Sequence, residues 1–176
     1  MLKTIAHELY GWVPASFPAS GSIEQGVRSL AATTPRIGFT FRRSGVVSGR
    51  VLPHRVVLRR ARLSANPFSP EFRGRFVVQA GRVVLDGRFA LNPFVRAFMT
   101  LWFTFHGLAA LVGVAAGAAL SPQIWPGVLA GLAYALGVVA FAYLGLLLLR
   151  FSKSLVRGDP EFIARHIREA LEEAAA

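Results

Sequence analysis

The chain has 176 residues, a formal net charge of +11 and a mean hydropathy of +0.47, which is too apolar for an ordinary soluble domain. It contains no cysteine, which excludes disulfides, thiolate catalysis and cysteine-ligated metals. No continuous apolar segment precedes Glu8, so we see no signal peptide.

The positive charge is concentrated in one segment. Between Pro35 and Arg96 there are thirteen arginines and two acids, Glu71 and Asp86. Arginine outnumbers lysine eighteen to two in the whole chain, a preference that suits phosphate recognition through the planar guanidinium. A chain rich in Ala, Gly, Arg and Val is also typical of a GC-rich bacterial genome, which is the explanation we prefer.

The N-terminal region predicts one short strand and one short helix. Leu9–Val13 is a candidate strand, and the Pro, Ser and Gly residues of Pro14–Gly21 predict a loop. Ser22 and Gln25 have the spacing of a capping box, and apolar residues then follow at helical intervals. This helix is expected to end before Pro35.

The next segment has the pattern of strands, with β-branched residues and arginines between turn signals. The connections are short, which favours an antiparallel meander. The sheet is expected to have one apolar face and one strongly basic face. The candidate strands are Ile37–Arg42, Val46–Leu52, Arg55–Arg60, Phe72–Gln79 and Arg82–Leu91.

A run of 53 residues, Ala97–Leu149, contains no Asp, Glu, Lys or Arg. A membrane-spanning helix needs roughly 20 mainly apolar residues, so the run is long enough for two, at about 94–120 and 124–149. Asn92 and Pro93 have the pattern of a helix start. A further amphipathic helix is expected from about Asp159, and its apolar stripe could dock on the sheet, join the N-terminal helix or lie at the membrane interface.

The predicted fold class is therefore an α+β membrane protein in which a small antiparallel β-meander module with short helices is joined to a two-helix transmembrane hairpin. The expected parts are a cytosolic module (1–92), the hairpin (93–150) and a cytosolic amphipathic helix (151–176). Basic residues flank only the open end of the hairpin, so the positive-inside rule places both termini in the cytoplasm of a bacterium, with the hairpin in its inner membrane.

Two features of the spans are candidate functional elements. His106 is ionisable and is expected at about the depth of Val138 of the neighbouring span, one turn from Tyr134. A neutral His106 bonded to Tyr134 or to a backbone carbonyl is preferred to a proton relay. Small-xxx-small motifs at Gly113 and Gly117 and at Gly127 and Gly131 allow close helix packing, within one hairpin or between copies.

The basic module predicts an anionic partner. Lipid head groups attract basic residues near the membrane surface by about 1 kcal/mol each, and the candidate contacts with lipid or with a partner protein are Arg59, Arg60, Arg62 and Arg96. Nucleic acid is disfavoured because the residues form no RNA-binding motif. We expect no cofactor, metal or catalytic residue. The chain is interpreted as an interaction or accessory protein; the alternatives are a transporter, channel or holin-like pore of oligomerised hairpins and, less favoured, a membrane-bound enzyme.

The sequence between residues 36 and 105 resembles a family of bacterial membrane proteins that have a small β-rich domain before two transmembrane helices. The resemblance lies in Arg59–Arg60, Asn66–Gly74, Asp86–Phe89, Pro93–Met99 and Trp102–Phe103. It implies the fold and brings no activity or site residue with it.

Overall fold

The structure, a computed structural model, describes residues 6–7, 9–35, 45–62, 66–120 and 124–173. It divides into two compact units. One, which we call the hairpin, is Pro93–Phe151. The other, which we call the module, combines the chain before residue 93 with the chain after residue 151. The module is therefore built from two stretches that the hairpin separates in sequence.

The module contains a five-stranded antiparallel sheet with the order β1-β5-β4-β3-β2. Strands β2 to β5 form the predicted meander, and each begins and ends within one residue of its predicted bounds. The predicted strand Ile37–Arg42 lies outside the described residues. The strands are β1 (Val13–Ala19), β2 (Val47–Leu52), β3 (Arg55–Arg60), β4 (Glu71–Gln79) and β5 (Arg82–Ala90).

Strand β1 corrects the prediction for the N-terminal region. Residues 9 and 10 are helical, in a turn where the Gly11 amide donates to the His7 carbonyl over 2.8 Å, and the strand occupies the segment predicted as a loop. Among the described strands, β1 lies at the edge of the sheet and pairs with β5 alone. An edge strand tolerates Pro14 and Pro18 because half of its amides need no partner.

Helix α1 (Ile23–Thr33) follows β1 and has the predicted capping box. The Gln25 amide donates to the Ser22 hydroxyl over 3.3 Å, and the Ser22 amide donates to the Gln25 side chain over 3.1 Å. Leu30 of this helix is fully buried against the sheet core. The helix ends before Pro35, as expected.

The core of the module is centred on Phe72 of β4. Its ring packs against those of Phe17 and Phe89, with centroids 5.6 and 5.3 Å away. Gly74 and Gly87 pair with each other beside this ring, and a Cβ atom on either would come within 2.8 Å of it. Only glycine leaves room for the ring at these two positions.

The hairpin consists of α2 (Pro93–Leu120) and α3 (Ile124–Ser154), so α3 is five residues longer than predicted. Both helices are long and apolar enough to cross a membrane. In the apolar stretch of each helix only 6% and 11% of the residues, respectively, are buried. A core helix of a soluble protein would be mostly buried.

Helix α4 (Asp159–Glu172) belongs to the module and packs on its sheet and on α1. Its predicted apolar stripe is buried against the sheet and α1, and the Ser29 hydroxyl of α1 donates to the Ala170 carbonyl. Of the three surfaces considered for this helix, the structure uses the sheet and α1 together. The fully or nearly fully buried residues of the stripe are Ile163, Ile167, Ala170 and Leu171.

Candidate functional site

One face of the sheet is covered by α1 and α4, and the opposite face carries arginines. Because side chains alternate along a strand, the register assigns seven arginines to the opposite face. We call this surface the arginine face. Six of its arginines are exposed and Arg73 is half-buried. The arginine face consists of Arg50, Arg55, Arg59, Arg73, Arg75, Arg82 and Arg88.

A row of paired residues crosses the middle of this face. Arg50 of β2 pairs with Val57 of β3, Val57 pairs with Arg73 of β4, and Arg73 pairs with Arg88 of β5. The last pair places two guanidinium side chains directly opposite each other on neighbouring strands. Like charges in this arrangement repel each other, and here the Glu71 carboxylate, 2.7 Å from the Arg73 guanidinium, offsets part of the repulsion.

Two acids lie among these arginines. Glu71 accepts from the Arg73 guanidinium over 2.7 Å and from the Asn92 side chain over 2.9 Å, so its charge is already neutralised by Arg73. Asp86 is paired in register with Arg75. Arg88 lies over the Trp12 ring, 5.7 Å from its centroid. The face therefore keeps a large excess of exposed positive charge.

A second arginine cluster has a different role, because it holds a buried carboxylate. Asp159 is fully buried and accepts from Arg62 over 2.6 Å, from Ser69 over 2.7 Å and from Arg60 over 3.3 Å. The Arg60 guanidinium also lies 4.2 Å from the centroid of the Phe162 ring. We call these residues the Asp159 cluster. It joins the first turn of α4 to the end of β3 and the residues after it.

The structure separates the arginines predicted to contact lipid. Arg59 lies on the arginine face and is exposed, whereas Arg60, the next residue, points to the opposite face. Arg60 and Arg62 both bind Asp159. Arg96 is half-buried in the first turn of α2, in the other unit. Within the module, Arg59 therefore lies on a different face from Arg60, and contact with lipid stays a prediction for all four arginines.

The predicted glycine motifs lie where the two helices of the hairpin pack together. A Cβ atom on Gly117 would come within 2.5 Å of the Gly127 carbonyl oxygen and 2.9 Å of the Gly131 Cα atom. A Cβ atom on Gly113 would overlap the Tyr134 ring, and Gly113 in turn lies against Gly131. The motifs are used for packing within one hairpin, and their use between copies stays a prediction.

His106 lies in an aromatic cluster within the hairpin. Its ring centroid is 4.4 Å from that of Trp102 and 5.3 Å from that of Phe141. Nδ1 lies 2.8 Å from the Trp102 carbonyl oxygen. A carbonyl can only accept, so Nδ1 carries the proton and donates. The partner of His106 is thus a backbone carbonyl, one of the two alternatives, and Tyr134 packs beside Gly113 instead.

A further histidine, His166 of α4, lies at the contact with α1. Its Nε2 atom is 3.2 Å from the Thr34 hydroxyl and 3.5 Å from that of Thr33. Burial lowers its pKa below the ordinary value of 6.5, and nearby Glu169 opposes this in part. Across the described ranges, no group of three or more His, Asp or Glu side chains is arranged to hold a metal ion.

Comparisons with known proteins give no match to a family model, to a curated protein or to a solved structure. The proposals below therefore rest on the residues and geometry of this chain alone.

Proposed function

We propose that this chain is an accessory protein of the bacterial inner membrane, anchored by the α2–α3 hairpin, whose module binds anionic lipid head groups through the arginine face. Both termini and the module lie in the cytoplasm. The single observation that carries the proposal is the arginine face, on which six arginines are exposed.

The two chain segments that form the module support a topology in which both ends of the hairpin lie on one side of the membrane. Residues before α2 and residues after α3 fold together in one unit. When both helices cross the membrane, these two stretches must lie on the same side of it. Basic residues flank the open end of the hairpin, which favours the cytoplasmic side; these are Arg88, Arg96, Arg150, Lys153 and Arg157.

Lipid is the favoured anion because the module is tethered to the membrane. A short tether converts binding into an intramolecular event at high effective concentration. Each arginine near an anionic surface contributes about 1 kcal/mol, and salt screens this attraction within a Debye length. Several weak contacts are thus sufficient for binding.

The experiment uses the full chain in nanodiscs of neutral phosphatidylcholine, with or without about a third phosphatidylglycerol. The chain has no cysteine, so Ser16→Cys reports cleanly on the arginine face and Ala32→Cys on exposed α1. A fluorophore at each position is quenched by lipids that carry a nitroxide on the head group. We expect the anionic lipid to increase quenching at position 16 but not at position 32, and high salt to reverse the increase.

Two triple variants with the same change in charge separate the arginine face from net charge. Arg50→Gln, Arg75→Gln and Arg88→Gln remove exposed residues of the face. Arg28→Gln, Arg165→Gln and Arg168→Gln remove exposed residues of α1 and α4. The first set should abolish the increase in quenching and the second should retain it. Equal behaviour of the two sets, or no effect of anionic lipid in the parent chain, would contradict the proposal.

A further inference from the structure

The hairpin carries a groove of about 410 Å³ beside His106. This is within the size range of roughly 300–1,000 Å³ that small-molecule sites occupy. The aromatic rings of Phe105, Tyr134 and Phe141 line it together with the small residues Ala109 and Gly137. Nothing lies within 4 Å of a Cβ atom placed on Gly137, so the groove is open at that position.

The groove contains a hydrogen-bond acceptor. Nδ1 of His106 donates to the Trp102 carbonyl, so in the neutral form of the ring Nε2 is the nitrogen with a lone pair and no proton. Among the described residues, no protein donor is hydrogen-bonded to Nε2. The stacked rings of Trp102 and Phe141 hold the imidazole in place. It costs free energy to keep a polar atom in an apolar environment without a hydrogen-bond partner.

The depth of His106 limits what can reach this acceptor. His106 is the fourteenth of the 28 residues of α2, so it lies near the middle of the helix. At that depth a spanning helix is surrounded by hydrocarbon. Acyl chains have no donor, and the polar heads of phospholipids remain at the two surfaces. A ligand that donates to Nε2 must therefore be soluble in the membrane and carry its own hydrogen-bond donor, such as an O–H group.

We propose that this groove binds the ring of a membrane-soluble phenol, with the phenolic O–H donating to Nε2 of His106. A planar ring fits between the aromatic walls by offset stacking or edge contacts. The tail of such a molecule lies along the surface of the hairpin. This site is independent of lipid binding by the arginine face.

The test compares two probes that differ in one donor. Full-length protein in phosphatidylcholine nanodiscs is dialysed against 4-octylphenol or against 4-octylanisole, in which a methyl group replaces the phenolic proton. Empty nanodiscs give the uptake by lipid alone. We expect protein-dependent uptake of the phenol to exceed that of the anisole about fivefold, the value of one ordinary net hydrogen bond. ¹⁵N-histidine spectra should show the Nε2 signal of His106 shifting with the phenol only.

Variants decide whether the groove is the site. His106→Phe keeps a flat ring and removes the acceptor, so uptake of the two probes should become equal. Gly137→Leu fills the groove and should abolish uptake of both. Gly107→Leu is the matched control, since Gly107 also has open surroundings but does not line the groove.

Either of two results would overturn the proposal. One is equal uptake of phenol and anisole by the parent chain, and the other is parental uptake of the phenol by Gly137→Leu. Circular dichroism checks that each variant is folded. If His106→Phe fails to fold, the Gly137 and Gly107 pair still decides the question.

Discussion

Asp159 brings together parts of the chain that lie far apart in sequence. Its donors Arg60, Arg62 and Ser69 are 99, 97 and 90 residues away. The carboxylate is fully buried, while the two arginines keep about a third of their side-chain surface exposed. Removal of the Asp159 carboxylate is expected to lower the stability of the module, because Arg60 and Arg62 then both lose their shared partner.

Replacement of Asp159 by asparagine should destabilise the module. The amide has no charge and presents N–H groups to the arginines. Loss of one partner of a buried pair typically costs about 3–5 kcal/mol, and we expect about 2–3 kcal/mol here because Arg60 and Arg62 can turn towards water. Chemical unfolding of the full chain in detergent measures the change. Asp86→Asn, on the exposed arginine face, is the control, and equal stability of the two variants would refute the role of Asp159.

His166 makes the stability of the module depend on pH. Burial lowers the pKa of His166 below its ordinary value of 6.5, so the folded state favours the neutral imidazole. The unfolded chain then binds more protons as the pH falls, and the stability present above pH 6.5 is lost as the pH decreases through the folded-state pKa. The thermal midpoint should fall between pH 7.5 and pH 5.5 by less in His166→Gln than in the parent chain. Parallel curves would contradict this prediction.

The Asp159 cluster shows why the sequence predicts some residue roles and not others. From sequence, Asp159 belongs at a helix start, where an acid suits the positive end of the helix dipole. That position is right, because α4 begins at Asp159. Its ion pairs were missed because pairs between distant segments leave no local pattern. The capping box at Ser22 and Gln25 was found because both partners lie within one turn.

At the level of elements, the glycine contacts predict how the hairpin responds to a larger side chain. Gly117→Leu would force α2 away from the Gly127 carbonyl and Gly131. Overpacking of this kind costs about 1–3 kcal/mol, so the thermal midpoint of the full chain in detergent should fall. Gly107→Leu has open space and should leave the midpoint unchanged. Equal midpoints for the two variants would exclude a packing role for Gly117.

The strands show the same difference between local and distant information. β3 and β5 combine β-branched residues and arginines between clear turn signals, so their bounds could be predicted from sequence. β1 contains two prolines and reads as a loop, and only its pairing with β5 at the edge of the sheet makes it a strand. The arginine face was predicted as a basic face, but its arginines could be identified only from the register.

For the whole molecule, the proposed topology predicts labelling from opposite sides of the membrane. Ser121→Cys lies between the spans and Ser154→Cys follows the second span. In intact cells a membrane-impermeant maleimide should label position 121, and position 154 should react only after the cells are opened. Labelling of position 154 from outside would contradict a cytoplasmic module. The chain has no native cysteine, so the parent protein is the background control.

The division of the module by the hairpin has a consequence for synthesis. Asn92 ends the first part of the module, and α4, which begins at Asp159, leaves the ribosome only 67 residues later. At about 5–20 residues per second this delay is roughly 3 to 13 s. During that time the apolar side of the sheet has no α4 to cover it. In the proposed topology, insertion of only one span would put α4 on the opposite side of the membrane from the sheet, whose apolar side would then lack α4. Apolar surface that stays exposed in this way makes a half-inserted chain prone to aggregation.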